Sequence, residues 1–220
     1  MEVQKFLLAR VGQMLSVKAT PAYMPDVIRA IIEKYGFAGY PKNEDIVPSD
    51  PPKGLEFIHG QLLIEDHPAA VIDKFTMFND GLIVDAAVST DDGDRFLRDI
   101  STWIAVQMPL VTFSGPPFYV SQLEVKAKFS DENITPPIFR NAGTRIATLL
   151  DGYGVKVPAY QTSSIAMHYD ASRMPQPQPG QLQIERRAEL PYDAGVWFTQ
   201  APLKTTDHVQ LLERLESAAT

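Results

Sequence analysis

The chain has no cysteine in its 220 residues. Disulfides, thiolate zinc sites, iron–sulfur clusters and a cysteine nucleophile are therefore excluded. It also lacks any apolar run near the ~18 residues that a membrane-spanning helix needs, so no membrane association is expected. The opening Met1-Glu2-Val3-Gln4-Lys5 has no basic stretch leading into an apolar run and a small-residue cleavage site. It does not read as a secretory leader. With the missing cysteine, this points to a cytoplasmic protein.

Positive charge is in short supply: 20 Lys and Arg stand against 27 Asp and Glu, a net charge of −7. The deficit is uneven. Residues 1–110 hold ten basic side chains against sixteen acidic, and residues 111–220 hold ten against eleven. The densest basic spot, Arg186-Arg187, is flanked by Glu185 and Glu189. A nucleic-acid backbone needs clustered positive charge, so nucleic acid is not an expected partner.

Familiar catalytic signatures are absent too. There is no Gly-x-Ser-x-Gly, no Gly-x-Gly-x-x-Gly, no phosphate-cradling Gly-x-x-x-x-Gly-Lys-Ser/Thr and no His-Glu-x-x-His. No catalytic residue, metal or cofactor is assigned. The acidic run Ser89-Thr90-Asp91-Asp92-Gly93-Asp94 fails as a calcium loop. Counting from Asp91 places Gly93 third and Thr102 twelfth, where such a loop needs glycine at the sixth position and glutamate at the twelfth. It reads instead as a helix start, with a hydroxyl cap and acids favoured by the helix dipole. Of four histidines, three sit near a carboxylate, in Asp66-His67, His168-Tyr169-Asp170 and Asp207-His208. His168, near the end of a predicted strand, is the best placed of them. The plainer reading of each is a structural histidine.

What the chain does contain is an ordinary folding composition, 45% hydrophobic and 21% charged, and a repeated order of elements. Helices are predicted at Val27–Tyr35, at the stripe Phe96, Leu97, Ile100, Trp103 and Ile104, near Ile134–Leu150, and from Thr205 or Thr206 onward. Strands are predicted at Leu55–Ile64, Ala70–Phe78, Leu82–Val88, Phe118–Phe129, Thr162–Tyr169, Leu182–Leu190 and Val196–Ala201. Residues 3–15 fit strand or helix. Asn79-Asp80-Gly81 signals a tight hairpin, and the proline-rich stretches 38–54 and 173–180 read as loops. Phe113-Ser114-Gly115-Pro116-Pro117 reads as a turn. Phe78-Asn79-Asp80-Gly81 and Tyr192-Asp193-Ala194-Gly195 recur at a spacing of roughly 115 residues, as do the helix starts after them.

The fold class this implies is α+β: a mostly antiparallel sheet with helices packed mainly on one face. It is built from two halves, 1–110 and 111–220, that each read strand, helix, three strands, helix and share one continuous sheet and core. At fold level the order resembles saddle-shaped tandem folds such as the TATA-binding-protein-like class. No sequence motif of that class is present, and the acidic charge argues against its DNA-binding role.

Alternation places Trp197 and Phe198 on opposite faces of a strand, and the second face is expected to carry Phe198, Met77 and Tyr119. A partner, a ligand or a loop must then cover it. The leading functional reading is a non-catalytic interaction or assembly protein, a homo-oligomer or a subunit of a complex with protein as its partner. The alternative is a small-molecule-binding protein with a pocket between sheet and helices, near Tyr119, His168, Trp197 and Phe198. A hydrolase using His168 and Asp170 is third.

Overall fold

The uncertain opening segment is a strand, β1 (Glu2–Val17), and it forms the middle of the sheet. The structure is a computed structural model; it describes residues 1–17, 25–42, 45, 53–63, 68–108, 110–129, 135, 137–157, 160–170, 172 and 178–217. After β1 come α1 (Pro25–Tyr35), β2 (Leu55–Leu62), β3 (Ala70–Met77), β4 (Gly81–Ala86) and α2 (Thr90–Gln107). The second half supplies β5 (Val111–Lys126), α3 (Pro137–Gly152), β6 (Ser164–Met167), β7 (Leu182–Arg186), β8 (Val196–Ala201) and α4 (Thr205–Ser217). Much of the predicted 38–54 loop, His67 and residues 173–177 lie outside the described residues.

Local chemistry explains the element ends. Ser89 caps α2 by accepting a hydrogen bond from the Asp91 amide at 3.0 Å, which satisfies one of the orphan donors of the first turn. At the β3–β4 turn the Phe78 amide donates to the Gly81 carbonyl at 2.8 Å. Among the described residues four α-helices accompany one eight-stranded, wholly antiparallel sheet in the order β2-β3-β4-β1-β5-β8-β7-β6. Read outward from the central β1–β5 pair, each side runs first strand, fourth, third, second of its half. The fold class is therefore α+β, as the alternation of elements implied.

One face of the sheet carries the core. In the first half Phe37, Phe57, Phe75 and Phe96 cluster with ring centroids 5.4–6.4 Å apart. Such aromatic pairs contribute roughly 0.5–1.5 kcal/mol each beyond area burial. Helix α1 lays Ile28, Ile31 and Tyr35 onto this cluster, and the Tyr35 hydroxyl donates to Asp99 of α2 at 2.6 Å. In the second half Leu123, Val125, Trp197 and Leu212 of α4 form a smaller core with Phe129.

Two expectations are corrected here. The segment Phe113–Pro117 is part of β5, not a turn. Gly12 pairs with Phe118 and Met14 with Ser114, so residues 115–117 bulge out between two ladder rungs, which is where a sheet tolerates proline. The second sheet face also does not carry Met77 or Tyr119. Met77 is buried in the first core, and Tyr119 pairs with core residue Val11 and packs against that same core. A register irregularity between Ile72 and Lys74 in β3 shifts the alternation that the spacing suggested. The face away from the helices is instead largely polar. It carries the two-pronged Arg10–Asp85 pair at 2.6 and 2.9 Å, Gln122 bonded to Gln200 at 2.7 Å and Arg187 paired with Glu124 at 2.8 Å.

Candidate functional site

The first turns of α2 and α4 meet where β1 runs beside β5. The Thr90 amide donates to Thr205 Oγ1 at 3.0 Å, and the Thr205 amide returns the bond to Thr90 Oγ1 at 2.7 Å. Both threonines are buried, so each hydroxyl satisfies a helix-end donor of the other helix. Beside them, Thr206 Oγ1 donates to Asp91 at 2.9 Å.

On one flank of this junction lies an ionic network around Asp94, itself buried. Asp94 accepts from the Tyr119 hydroxyl at 3.0 Å, from Arg98 at 3.1 Å and from Lys204 Nζ at 3.1 Å. Lys204 also lies 5.1 Å from the centroid of the Tyr119 ring. Burial, then the hydrogen bond to Asp94, push the Tyr119 phenol above its usual value. The Asp94 hydrogen bond holds the Lys204 ammonium above its own. Tyr119 therefore stays protonated and Lys204 charged, which suits a bridge between β5, α2 and the start of α4 better than proton transfer near neutral pH.

Near the junction, Ser121 Oγ meets His208 Nδ1 at 2.7 Å, both side chains fully buried. Burial pushes the His208 imidazole down to about 4. Its Nε2 finds no hydrogen-bond partner among the described residues. A serine–histidine pair is the start of a nucleophile–base constellation, but a nucleophile must reach substrate, and neither side chain touches solvent. The pair ties α4 to β5. The pairing of Asp207 with His208 in sequence pointed elsewhere; a histidine one turn into an amphipathic helix, on the side of Thr205 and Leu212, was the available signal.

An open groove of about 320 Å³ lies alongside, lined by Phe6, Val88, Ser89, Thr205, Thr206, Val209 and Gln210. None of Tyr119, His168, Trp197 or Phe198 lines it. Those four residues do not converge. Tyr119 sits in the Asp94 network. Trp197 is buried, donating to the Ala127 carbonyl at 3.2 Å under the Arg186 guanidinium, which lies 4.3 Å from its ring. Phe198 pairs with Glu124 on the polar sheet face. His168 is exposed just past the edge strand β6, and its neighbour Asp170 accepts from the Ser172 amide and hydroxyl at 3.1 and 2.6 Å.

The residues that sequence reasoning passed over lie on α3. This helix rests on the protein through its small-residue side, where a Cβ on Gly143 would stand 2.7 Å from the Tyr160 carbonyl oxygen. Its apolar face looks outward: Phe139 is 65% exposed, Ile146 41% and Leu149 48%, with Tyr153 just beyond at 74%. Helix α1, which holds the same place in the order of the first half, buries its apolar face. Tyr160, Met167 and Tyr192 are exposed elsewhere in the second half.

Among the described residues no three His, Asp or Glu side chains gather to hold a metal ion, and no helix is long and apolar enough to cross a membrane. No protein-family model matches the chain, and no curated protein matches it in sequence.

Proposed function

We propose that this protein is a non-catalytic interaction or assembly protein, working as a homo-oligomer or as a subunit of a larger complex. The observation that carries this reading is the contrast between α1 and α3: the first buries its apolar face on the sheet, while the second turns Phe139, Ile146 and Leu149 outward. Leaving such a helix face in water forgoes roughly 25 cal/mol per Å² of burial, and contiguous apolar surface of this kind marks interaction sites. The test is native mass spectrometry of the protein taken from its native cell, beside the double variant Phe139→Asp, Tyr153→Ser. Assemblies seen with the wild type and absent with the variant support the reading. A wild-type chain that is always alone removes it.

A second reading is supported by the groove that Phe6 of β1 and the Val88-Ser89 lead into α2 form with the first turns of α4. Its volume of about 320 Å³ is at the small end for ligand pockets, and its apolar walls Phe6, Val88 and Val209 stand beside the hydroxyls of Ser89, Thr205 and Thr206. A small, largely apolar metabolite with one hydrogen-bonding end fits that lining. A ligand that binds only the native state raises the melting temperature. A metabolite screen with no stabilising compound, or one whose hit still binds Val209→Trp, would count against it.

A further inference from the structure

We infer that the groove beside Phe6 takes a short, unbranched, uncharged alkyl chain ending in a hydroxyl, held where the equivalent place in the other half is filled by the Lys204 side chain. This rests on the groove reading above and names its ligand. The two flanks of the Thr90–Thr205 junction occupy equivalent places. Ala9 and Ser121 face each other across β1 and β5; on its far side Ala9 pairs with Ala86 of β4, and Ser121 with Ala201 of β8. Val11 stands between Val84 and Tyr119, and Leu123 between Thr199 and Phe6. Helices α2 and α4 begin the same number of residues beyond Ala86 and Ala201, at Thr90 and Thr205, and those threonines exchange their bonds reciprocally. By this pairing Phe6 is the counterpart of Tyr119, Ser89 of Lys204 and Val209 of Asp94.

One flank is closed and the other open. On the first, the Lys204 stem reaches from the start of α4 to Asp94 at 3.1 Å, with its ammonium 5.1 Å from the Tyr119 centroid. On the second, Ser89 ends at its hydroxyl, which turns back to cap the Asp91 amide at 3.0 Å. Phe6 and Val209 offer a ring and methyls without the hydroxyl and carboxylate of their counterparts. The space of about 320 Å³ that they line with Thr206 corresponds to the place of the lysine stem on the other flank. A chain of about four to six carbons, the reach of that stem, fills it against Phe6 and Val209. The head group follows from charge. An ammonium would find Val209 where Lys204 finds Asp94, and a carboxylate would meet Asp91, which accepts from Thr206 at 2.9 Å. A hydroxyl both donates and accepts, so it suits Ser89 and Thr206 and buries no charge.

The probes are 1-pentanol, n-pentylamine and pentanoate, each titrated into the isotope-labelled full chain and followed by its backbone amide spectrum. 1-Pentanol is expected to shift the amides of Ser89, Thr206, Val209 and Gln210 saturably. The amine and the acid are expected to bind at least about tenfold more weakly, for want of a compensating charge. Two variants close the groove. Ser89→Lys with Val209→Asp rebuilds the ion pair of the other flank, and Val209→Phe fills the space with no change of charge; each is expected to abolish the shifts. If the double variant fails to fold, Val209→Phe decides. Shifts with 1-pentanol that persist in either folded variant, or amides that respond as strongly to the amine or the acid, overturn the inference. If only a ring compound or an ion from the metabolite screen moves those amides, the alkyl alcohol falls and the groove reading stands. If no compound moves them, both fall.

Discussion

Thr90 and Thr205 stand 115 residues apart in the chain and exchange hydrogen bonds, amide to hydroxyl in each direction, at 3.0 and 2.7 Å. Each is the first residue of its helix, so the two halves are joined by satisfying one another's helix-end donors. Thr205→Val keeps the shape but strands the buried Thr90 amide, and Thr90→Val strands that of Thr205. Each change is expected to cost about 1–3 kcal/mol of stability. Thr206→Val, which removes an exposed bond to Asp91, should cost about 0.5 kcal/mol or less. Urea denaturation measures all three, and equal effects would remove the junction's special role.

His208 makes stability depend on pH. Its folded value near 4 lies below the ordinary 6.5, so above pH 6.5 the imidazole is neutral folded or unfolded and contributes no pH dependence. As pH falls below 6.5 the unfolded chain takes up the proton and the folded chain does not, and stability drops until the folded value is reached. The full loss is about 3 kcal/mol at 1.36 kcal/mol per pH unit. The difference in stability between wild type and His208→Gln should therefore vary between pH 6.5 and 4 and be flat above. A constant difference across that window would show that His208 is not the group responsible.

Asp94 is the hub of its network and Arg98 its outermost member. Asp94→Asn removes the charge that Tyr119, Arg98 and Lys204 share, and is expected to cost about 2–3 kcal/mol. Arg98→Ala should cost at most about 0.5 kcal/mol, because the Arg98 side chain is 74% exposed and exposed ion pairs contribute little. Chemical denaturation in parallel decides it, and an Arg98→Ala loss as large as that of Asp94→Asn would redraw the network.

Gly12 lies beneath Phe118 on the polar sheet face, and a Cβ there would run into the ring. Gly12→Ala is expected to cost about 1–3 kcal/mol through overpacking. Phe118→Ala in the same chain should recover part of that loss, since it removes the obstacle. Thermal unfolding of the two single variants and the double gives the coupling; strict additivity would mean that the two positions do not meet.

Much of this fold was written in local chemistry. Ser89 as cap, Asn79-Asp80-Gly81 as hairpin turn and the Phe96–Ile104 stripe each act through neighbours a few residues away, so sequence alone determined those elements and that the protein is α+β. The strand identity of β1 and the course of β5 through Phe113–Pro117 waited on their pairing with each other. The acidic balance and the missing cysteine likewise needed no structure. What tertiary structure decided is which side chains meet. Met77 and Tyr119 went to the core face because a register irregularity in β3 and the pairing of Tyr119 with Val11 are set between strands, and side-chain parity within one strand does not carry that information. Ser121 found His208, and Asp94 found Tyr119 and Lys204, across separations that no periodicity records. The outward apolar seam of α3 was decided the same way: its spacing is that of any amphipathic helix, and whether such a face is buried depends on what the rest of the chain places against it.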